Sequence, residues 1–170
     1  MRLSTLALAL CAALPAQAQT IVLVRHAERV AEGGSDPQLS PEGRERAHAL
    51  ASGLADEKLA LVLTSPLART RQTGEPAARA AGLTVTPISL EGGSAAHVAR
   101  VAEAARQAPA DATVLVVGHS NTVPEIARAL GDTAAQPMSE CEFDRMTVVR
   151  LTDDGARVSH ARYGAATAAC

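Results

Sequence analysis

Short apolar runs alternate with helical patterns along most of the chain. The runs at 21–24, 59–63 and 113–117 contain almost no polar residue, which is typical of strands buried on both faces of a parallel sheet. Apolar and polar residues alternate at 83–88, which predicts a further strand between the second and third runs. Near the end of the chain, Asp153-Asp154-Gly155 separates two strand-like segments and predicts a β-hairpin.

A helix is predicted after each of the four predicted strands, and for the first, third and fourth helices apolar residues spaced three and four apart indicate it. Ser40 followed by Pro41 predicts the start of the first helix. Thr64-Ser65-Pro66 is expected to open the second, Pro76 to kink or break it, and Gly82 to follow its end. The remaining helical patterns cover 98–105 and 123–130. The predicted fold is α/β, with three layers, a doubly wound, mostly parallel sheet and a C-terminal β-hairpin.

The first 18 residues have the features of a secretory signal peptide. Arg2 supplies a positive charge, the stretch 3–15 is apolar but too short to span a membrane, and Ala16-Gln17-Ala18 fits a cleavage site. We therefore expect 1–18 to be removed and 19–170 to form one periplasmic or secreted domain without stable membrane insertion. An uncleaved membrane anchor is the less favoured alternative.

The composition argues against several kinds of partner. The formal net charge is −2, and only Phe143 and Tyr163 carry aromatic rings besides histidine, so neither bulk charge nor base stacking favours a nucleic acid. The chain contains no His-x-x-x-His or Cys-x-x-Cys pair, so we expect no metal and no cofactor. In an oxidising compartment a disulfide between Cys141 and Cys170 is allowed, and two free thiols are the alternative. The oligomeric state is not indicated.

Three predicted elements carry residues that suit an anion. The first strand runs directly into Arg25-His26-Ala27-Glu28, the strand at 113–117 is followed by His119, and Arg69 lies near the start of the second helix. The carboxyl ends of parallel strands meet at one sheet edge, so these side chains are expected in one crevice. Arginine forks and helix N-termini bind phosphate, and a neutral histidine nitrogen is a nucleophile. Packing explains each residue alone, but their joint placement predicts a phosphate pocket.

Four motifs occur in the order found in histidine phosphatases of the phosphoglycerate-mutase-like branch, which the chain resembles. They are Leu23–Glu28, Leu39–Gly43, Ser65–Thr73 and Val117–Ser120. The segment Glu142–Arg145 is similar to that of small secreted members. The resemblance implies a phosphoglycerate-mutase-like fold and a metal-independent phosphoric monoester hydrolase.

Roles for individual residues also follow from the resemblance. His26 would attack phosphorus and become a phosphohistidine, while Arg25, Arg69 and His119 would hold the phosphoryl oxygens. The arginines and a protonated His119 would supply the positive charge that the equatorial oxygens need, so no metal is required.

The general acid is expected at the same sheet edge. The resemblance points to Glu91, after the strand predicted at 83–88, and the alternative is that Glu91 is an ordinary loop carboxylate. Glu28 is expected to orient the Arg-His motif by hydrogen bonds rather than to donate a proton.

The favoured function is therefore hydrolysis of a phosphorylated small molecule or a phosphoprotein. A non-catalytic phosphoryl-binding protein is the alternative from another class, and a phosphoglycerate mutase is disfavoured by the short chain and the export signal. The loops at 30–38, 89–97 and 131–145 are expected to form an open, permissive pocket.

Overall fold

A computed structural model describes residues 18–167, so Cys170 and the predicted signal peptide, apart from Ala18, lie outside the described residues. The strands are β1 (Gln19–Arg25), β2 (Leu59–Thr64), β3 (Thr86–Pro87), β4 (Thr113–Gly118), β5 (Arg145–Thr152) and β6 (Gly155–Arg162). The helices are α1 (Pro41–Gly53), α2 (Ala68–Ala80), α3 (Gly93–Arg106) and α4 (Val123–Ala129). No helix within this range is long and apolar enough to cross a membrane.

The six strands form one sheet in the order β3-β2-β4-β1-β5-β6. The first four strands are parallel to one another, and β5 pairs antiparallel with both β1 and β6. The predicted α/β fold with a C-terminal hairpin is therefore confirmed. Because β1 and β4 are neighbours in register, Arg25 lies opposite Gly118 and the two strands end side by side.

Helices cover both faces of the sheet, as the apolar strands require. Ile21 and Leu23 face a core that includes residues of α3 and α4, whereas Val22 and Val24 face a core that includes residues of α1 and α2. Neighbouring residues of β1 thus point to opposite cores, which accounts for a strand without polar alternation.

The predictions for the second helix and the third strand need correction. Helix α2 is continuous through Pro76, so the proline does not break it, and residues on both sides of it, including Gly74 and Ala77, are buried against the rest of the fold. β3 is only two residues long, since Gly82 has a φ of +70° and Leu83 N–H donates to Ala78 O, which ties the start of the predicted strand to the helix end.

Candidate active site

The two predicted histidines lie together at the carboxyl edge of the sheet. His26 follows β1, and its backbone N–H donates to the carbonyl of Gly118 at 2.9 Å, which continues the β1–β4 pairing by one residue. His119 follows β4, and the centroids of the two imidazole rings are 5.4 Å apart with an interplanar angle of 64°. The two strand ends therefore bring the predicted histidines together at one edge of the sheet.

A single hydrogen bond sets the tautomer of His26. Its Nδ1 lies 2.8 Å from the carbonyl oxygen of Ala27, and a carbonyl can only accept, so Nδ1 carries the proton and Nε2 has the free electron pair. Burial, supported by the charges of Arg25 and Arg69, lowers the pKa of His26 to about 4. His26 is therefore a neutral imidazole with an available Nε2 at neutral pH.

His119 is held by a buried hydroxyl. Its Nε2 lies 3.0 Å from Oγ of Ser65, which is fully buried and also lies 2.8 Å from Oγ1 of Thr70. Burial, followed by the effects of His26 and Arg69, lowers the pKa of His119 to about 3. His119 is thus neutral among these groups, and a phosphoryl dianion placed between them would raise its pKa towards the protonated form expected from the sequence.

Arg25 is buried and held at one end by a loop distant in sequence. Its Nη1 donates to the carbonyl oxygens of Ser139, Glu140 and Glu142 at 3.0, 2.7 and 3.4 Å. Its Nη2 donates to the carboxylate of Glu140 at 3.0 Å, and the guanidinium carbon lies 4.2 Å from the centre of the Phe143 ring. Its Nε is buried and has no hydrogen-bond partner within residues 18–167, so one donor of this guanidinium is left unsatisfied.

Arg69 is positioned by a residue that the sequence did not single out. The carboxylate of Asp36 accepts from the backbone N–H of Ala68 at 2.8 and 3.1 Å, which caps the start of α2. The same carboxylate lies 3.7 Å from Nη1 of Arg69. Because this cap comes from the loop at 30–38, α2 begins at Ala68 rather than at the predicted Thr64-Ser65-Pro66.

The Arg-His motif is fixed to α1 by a charged pair. Arg46 of α1 is almost fully buried, and its Nε and Nη2 donate to the carboxylate of Glu28 at 2.7–3.0 Å. The carboxylate of Glu28 accepts these bonds and thereby ties the motif to α1, which agrees with the orienting role expected from the sequence. Arg46 follows the helical spacing of the buried positions of α1, and a charge at such a position was the available signal in the sequence.

The surroundings of Glu91 do not indicate a role for its carboxylate. It lies in the exposed turn between β3 and α3, and no hydrogen bond or ion pair of its carboxylate occurs within the described residues. Its role as general acid stays a prediction.

Within the same part of the chain, no group of three or more histidine, cysteine or acidic side chains could hold a metal ion. Cys141 is disulfide-bonded, and Cys170, the partner that the sequence allows, lies outside the described residues.

A cavity of about 620 Å³ opens beside the histidine pair rather than on it. Its lining includes Glu28, Arg46, Glu140 and Phe143. Because Glu140 and Phe143 both contact Arg25, this cavity adjoins the Arg25 guanidinium.

The comparisons with known proteins agree with this geometry. Residues 21–91 match the model of the "Histidine phosphatase superfamily (branch 1)". The candidate phosphohistidine phosphatase SixA from Nakamurella multipartitia is 31% identical, with a TM-score of 0.61, over 89% of this chain and 99% of that one. No protein of curated function matches the chain significantly.

Two more distant structures share the fold alone. A protein histidine phosphatase SixA complexed with tungstate is 21% identical, with a TM-score of 0.66, over 84% of this chain and 96% of that one. A phosphoglycerate mutase from Bacillus anthracis str. Sterne is 16% identical, with a TM-score of 0.64, over 86% of this chain and 93% of that one.

Proposed function

The chain belongs to the histidine phosphatase superfamily, and we propose that it hydrolyses phosphomonoesters through a phosphohistidine formed on His26. Membership supports phosphatase chemistry in general. The observation that carries the specific proposal is the hydrogen bond from Nδ1 of His26 to the Ala27 carbonyl, because it leaves Nε2 unprotonated and free to attack.

The reaction proceeds in two transfers of one phosphoryl group. In the first, the electron pair on Nε2 of His26 forms a bond to phosphorus, and the bond from phosphorus to the ester oxygen breaks. That oxygen leaves with the bonding pair and takes a proton from Glu91. In the second, a water oxygen attacks phosphorus and gives a proton back to Glu91, while the P–N bond breaks and its electron pair returns to Nε2. The products are an alcohol and inorganic phosphate.

The remaining pocket residues stabilise negative charge in both steps. The buried Nε of Arg25 and the guanidinium of Arg69 donate to the phosphoryl oxygens, and His119 donates once the dianion has raised its pKa. These fixed donors supply the positive charge that phosphoryl transfer requires, so the reaction is proposed to need no metal ion.

The class of substrate and the compartment in which the domain acts are further parts of the proposal. The proposal covers both a phosphorylated small molecule and a phosphoprotein, because the donors assigned above would contact only the phosphoryl group. The similarity to a candidate phosphohistidine phosphatase supports testing a phosphohistidine beside phosphomonoesters. We further propose that the domain acts in the periplasm or outside the cell, as the features of residues 1–18 indicate.

Hydrolysis of a paired set of substrates tests the function and the two catalytic roles together. The wild-type protein is expected to release phosphate from p-nitrophenyl phosphate and from an alkyl phosphate, and His26→Ala is expected to abolish both activities. Glu91→Gln should lose about 10²–10⁴-fold on the alkyl phosphate, whose leaving group needs a proton, and far less on p-nitrophenyl phosphate.

His48→Ala is the matched control, because His48 is an exposed histidine on α1 and should leave both activities unchanged. Undiminished turnover by His26→Ala would overturn the proposal. Binding of inorganic phosphate by a wild-type protein that turns over no phosphoester would favour the non-catalytic alternative.

A further inference from the structure

A carboxylate lies at the rim of the proposed phosphate pocket. One oxygen of Glu140 accepts from Nη2 of Arg25 at 3.0 Å, and the other accepts from Oγ of Ser120 at 2.5 Å. Ser120 directly follows His119, so this carboxylate connects two of the elements that would hold the phosphoryl group. The side chain of Glu140 is 77% exposed, and it therefore presents negative charge to whatever enters the pocket from solvent.

Glu140 carries its charge at neutral pH. The hydrogen bond from Ser120, together with the charges of Arg25 and Arg29, lowers the pKa of its carboxyl group. The loop carbonyls on Nη1 of Arg25 hold the backbone of this segment beside the guanidinium, so the carboxylate of Glu140 stays within reach of the pocket rim.

The sign of the charge changes from the pocket to the cavity beside it. The phosphoryl donors are cationic, whereas four carboxylates and one guanidinium line the cavity of about 620 Å³. These charged residues are Glu28, Glu42, Glu45, Glu140 and Arg46. The half-buried ring of Phe143, which stacks on Arg25, adds an apolar wall at the junction. A substrate body in this cavity thus meets negative charge and an aromatic face.

We propose that Glu140 determines specificity by favouring substrates whose phosphoryl group is carried by a cationic body, such as an aminoalkyl phosphomonoester. This inference rests on the proposed phosphatase function. With the phosphoryl dianion on Arg25 and Arg69, an ammonium group on the body is attracted by Glu140, and an anionic body in the same place is repelled. If Glu140 only held Arg25 in place, removal of its charge would instead change kcat/KM for all phosphomonoesters by the same factor.

Three substrates with the same two-carbon skeleton test this charge selection: 2-aminoethyl phosphate, 2-hydroxyethyl phosphate and 2-phosphoglycolate. The wild-type kcat/KM is expected to fall in that order. In Glu140→Gln the ratio between the first and last substrates should shrink by about three- to twentyfold, which is the combined size of one attraction and one repulsion at an exposed site. Glu103→Gln removes an exposed carboxylate on α3 and should leave the ratio unchanged.

Two outcomes would overturn the inference. One is a wild-type ratio near unity, and the other is an equal loss on all three substrates in Glu140→Gln. Dissociation constants of the same compounds, measured by calorimetry with His26→Ala, should follow the same order of affinity. When Glu140→Gln is added to this variant, the ratio of the dissociation constants of the first and last compounds should shrink by the same factor. A protein without any turnover would count against the proposed phosphatase function, whereas these binding ratios would still decide the role of Glu140.

Discussion

At the scale of single residues, the proposed chemistry depends on which nitrogen atoms of His26 and Arg25 are already occupied by hydrogen bonds within the protein. Nδ1 of His26 is committed to the Ala27 carbonyl, so only Nε2 can act as a nucleophile. Nη1 of Arg25 is committed to loop carbonyls, so only the remaining donors of that guanidinium are available to an anion. In the proposed mechanism, the surrounding protein thereby orients the reactive atoms before a substrate arrives, which lowers the cost of reaching the transition state.

The two histidines of the candidate site, His26 and His119, predict a loss of stability in acid. Burial lowers the pKa of His26 to about 4 and that of His119 to about 3, from the ordinary value of 6.5. As the pH falls below 6.5, the unfolded chain therefore binds protons that the folded chain does not, and the free energy of unfolding declines. Urea unfolding should show a loss of about 2 kcal/mol for each histidine between pH 7 and 4.5.

The matched variants His26→Asn and His119→Asn should each remove one part of this pH dependence. A titration of the ring protons by nuclear magnetic resonance provides an independent check on the same groups. A midpoint near 6.5 for the imidazole of either His26 or His119 would contradict this explanation of the pH dependence.

At the scale of elements, local sequence patterns predicted where β1 ends and where α1 begins. They did not predict the contacts between residues that are far apart in the sequence. The apolar run before Arg25 and the N-cap at Ser40 are local, and both are present in the structure, where Ser40 Oγ accepts from Gly43 N–H at 3.2 Å. Asp36 caps α2 from a loop 32 residues away, and Glu140 reaches Arg25 across 115 residues. No periodicity or spacing in the sequence encodes such pairings before the fold brings them together.

The start of α1 is packed so closely on the Arg-His motif that only glycine fits. A Cβ at Gly43 would lie 2.0 Å from the carbonyl oxygen of Glu28, whereas a Cβ at Gly53, at the other end of the helix, would meet no atom within 4 Å. Gly43→Ala should therefore push α1 away from the motif. We expect it to lower the free energy of unfolding by more than about 2 kcal/mol and kcat/KM by more than about tenfold.

Gly53→Ala is the matched control for this prediction. It should stabilise α1 by up to about 1 kcal/mol, because alanine has the higher helix propensity, and leave activity unchanged. Urea unfolding and phosphatase assays on both variants provide the comparison. Equal behaviour of the two variants would show that the close approach at Gly43 has no consequence for the site.

At the scale of the whole molecule, a doubly wound sheet brings the residues of the candidate site together because it gathers distant segments at one edge. β1 and β4 supply the histidines, α2 supplies Arg69, and the segment between α4 and β5 holds Arg25. The fold class was predictable because buried strands and amphipathic helices alternate. The packing of the 131–145 loop over Arg25 was not, because that loop has no regular pattern of its own.

The predicted export signal leads to a further expectation for the whole chain. Cleavage after Ala18 would leave β1 complete from Gln19, whose side chain donates to the carbonyl of Ala108 at 2.7 Å. Expression of the full chain in a bacterial host should therefore give a periplasmic protein that begins at Gln19, as read by N-terminal sequencing. Recovery of the uncleaved chain from the membrane fraction would support the anchor alternative instead.

The phosphohistidine on His26 is the central claim, and rapid acid-free quenching of a reaction with p-nitrophenyl phosphate tests it most directly. Because a phosphoryl group on a histidine nitrogen is lost in acid, the reaction is stopped with alkaline denaturant and the intact chain is weighed by mass spectrometry. We predict one added phosphoryl group per chain, acid-labile, mapped to the peptide that contains His26, and absent from His26→Ala. A wild-type protein that turns over substrate without this adduct, or that carries it on another residue, would contradict the mechanism.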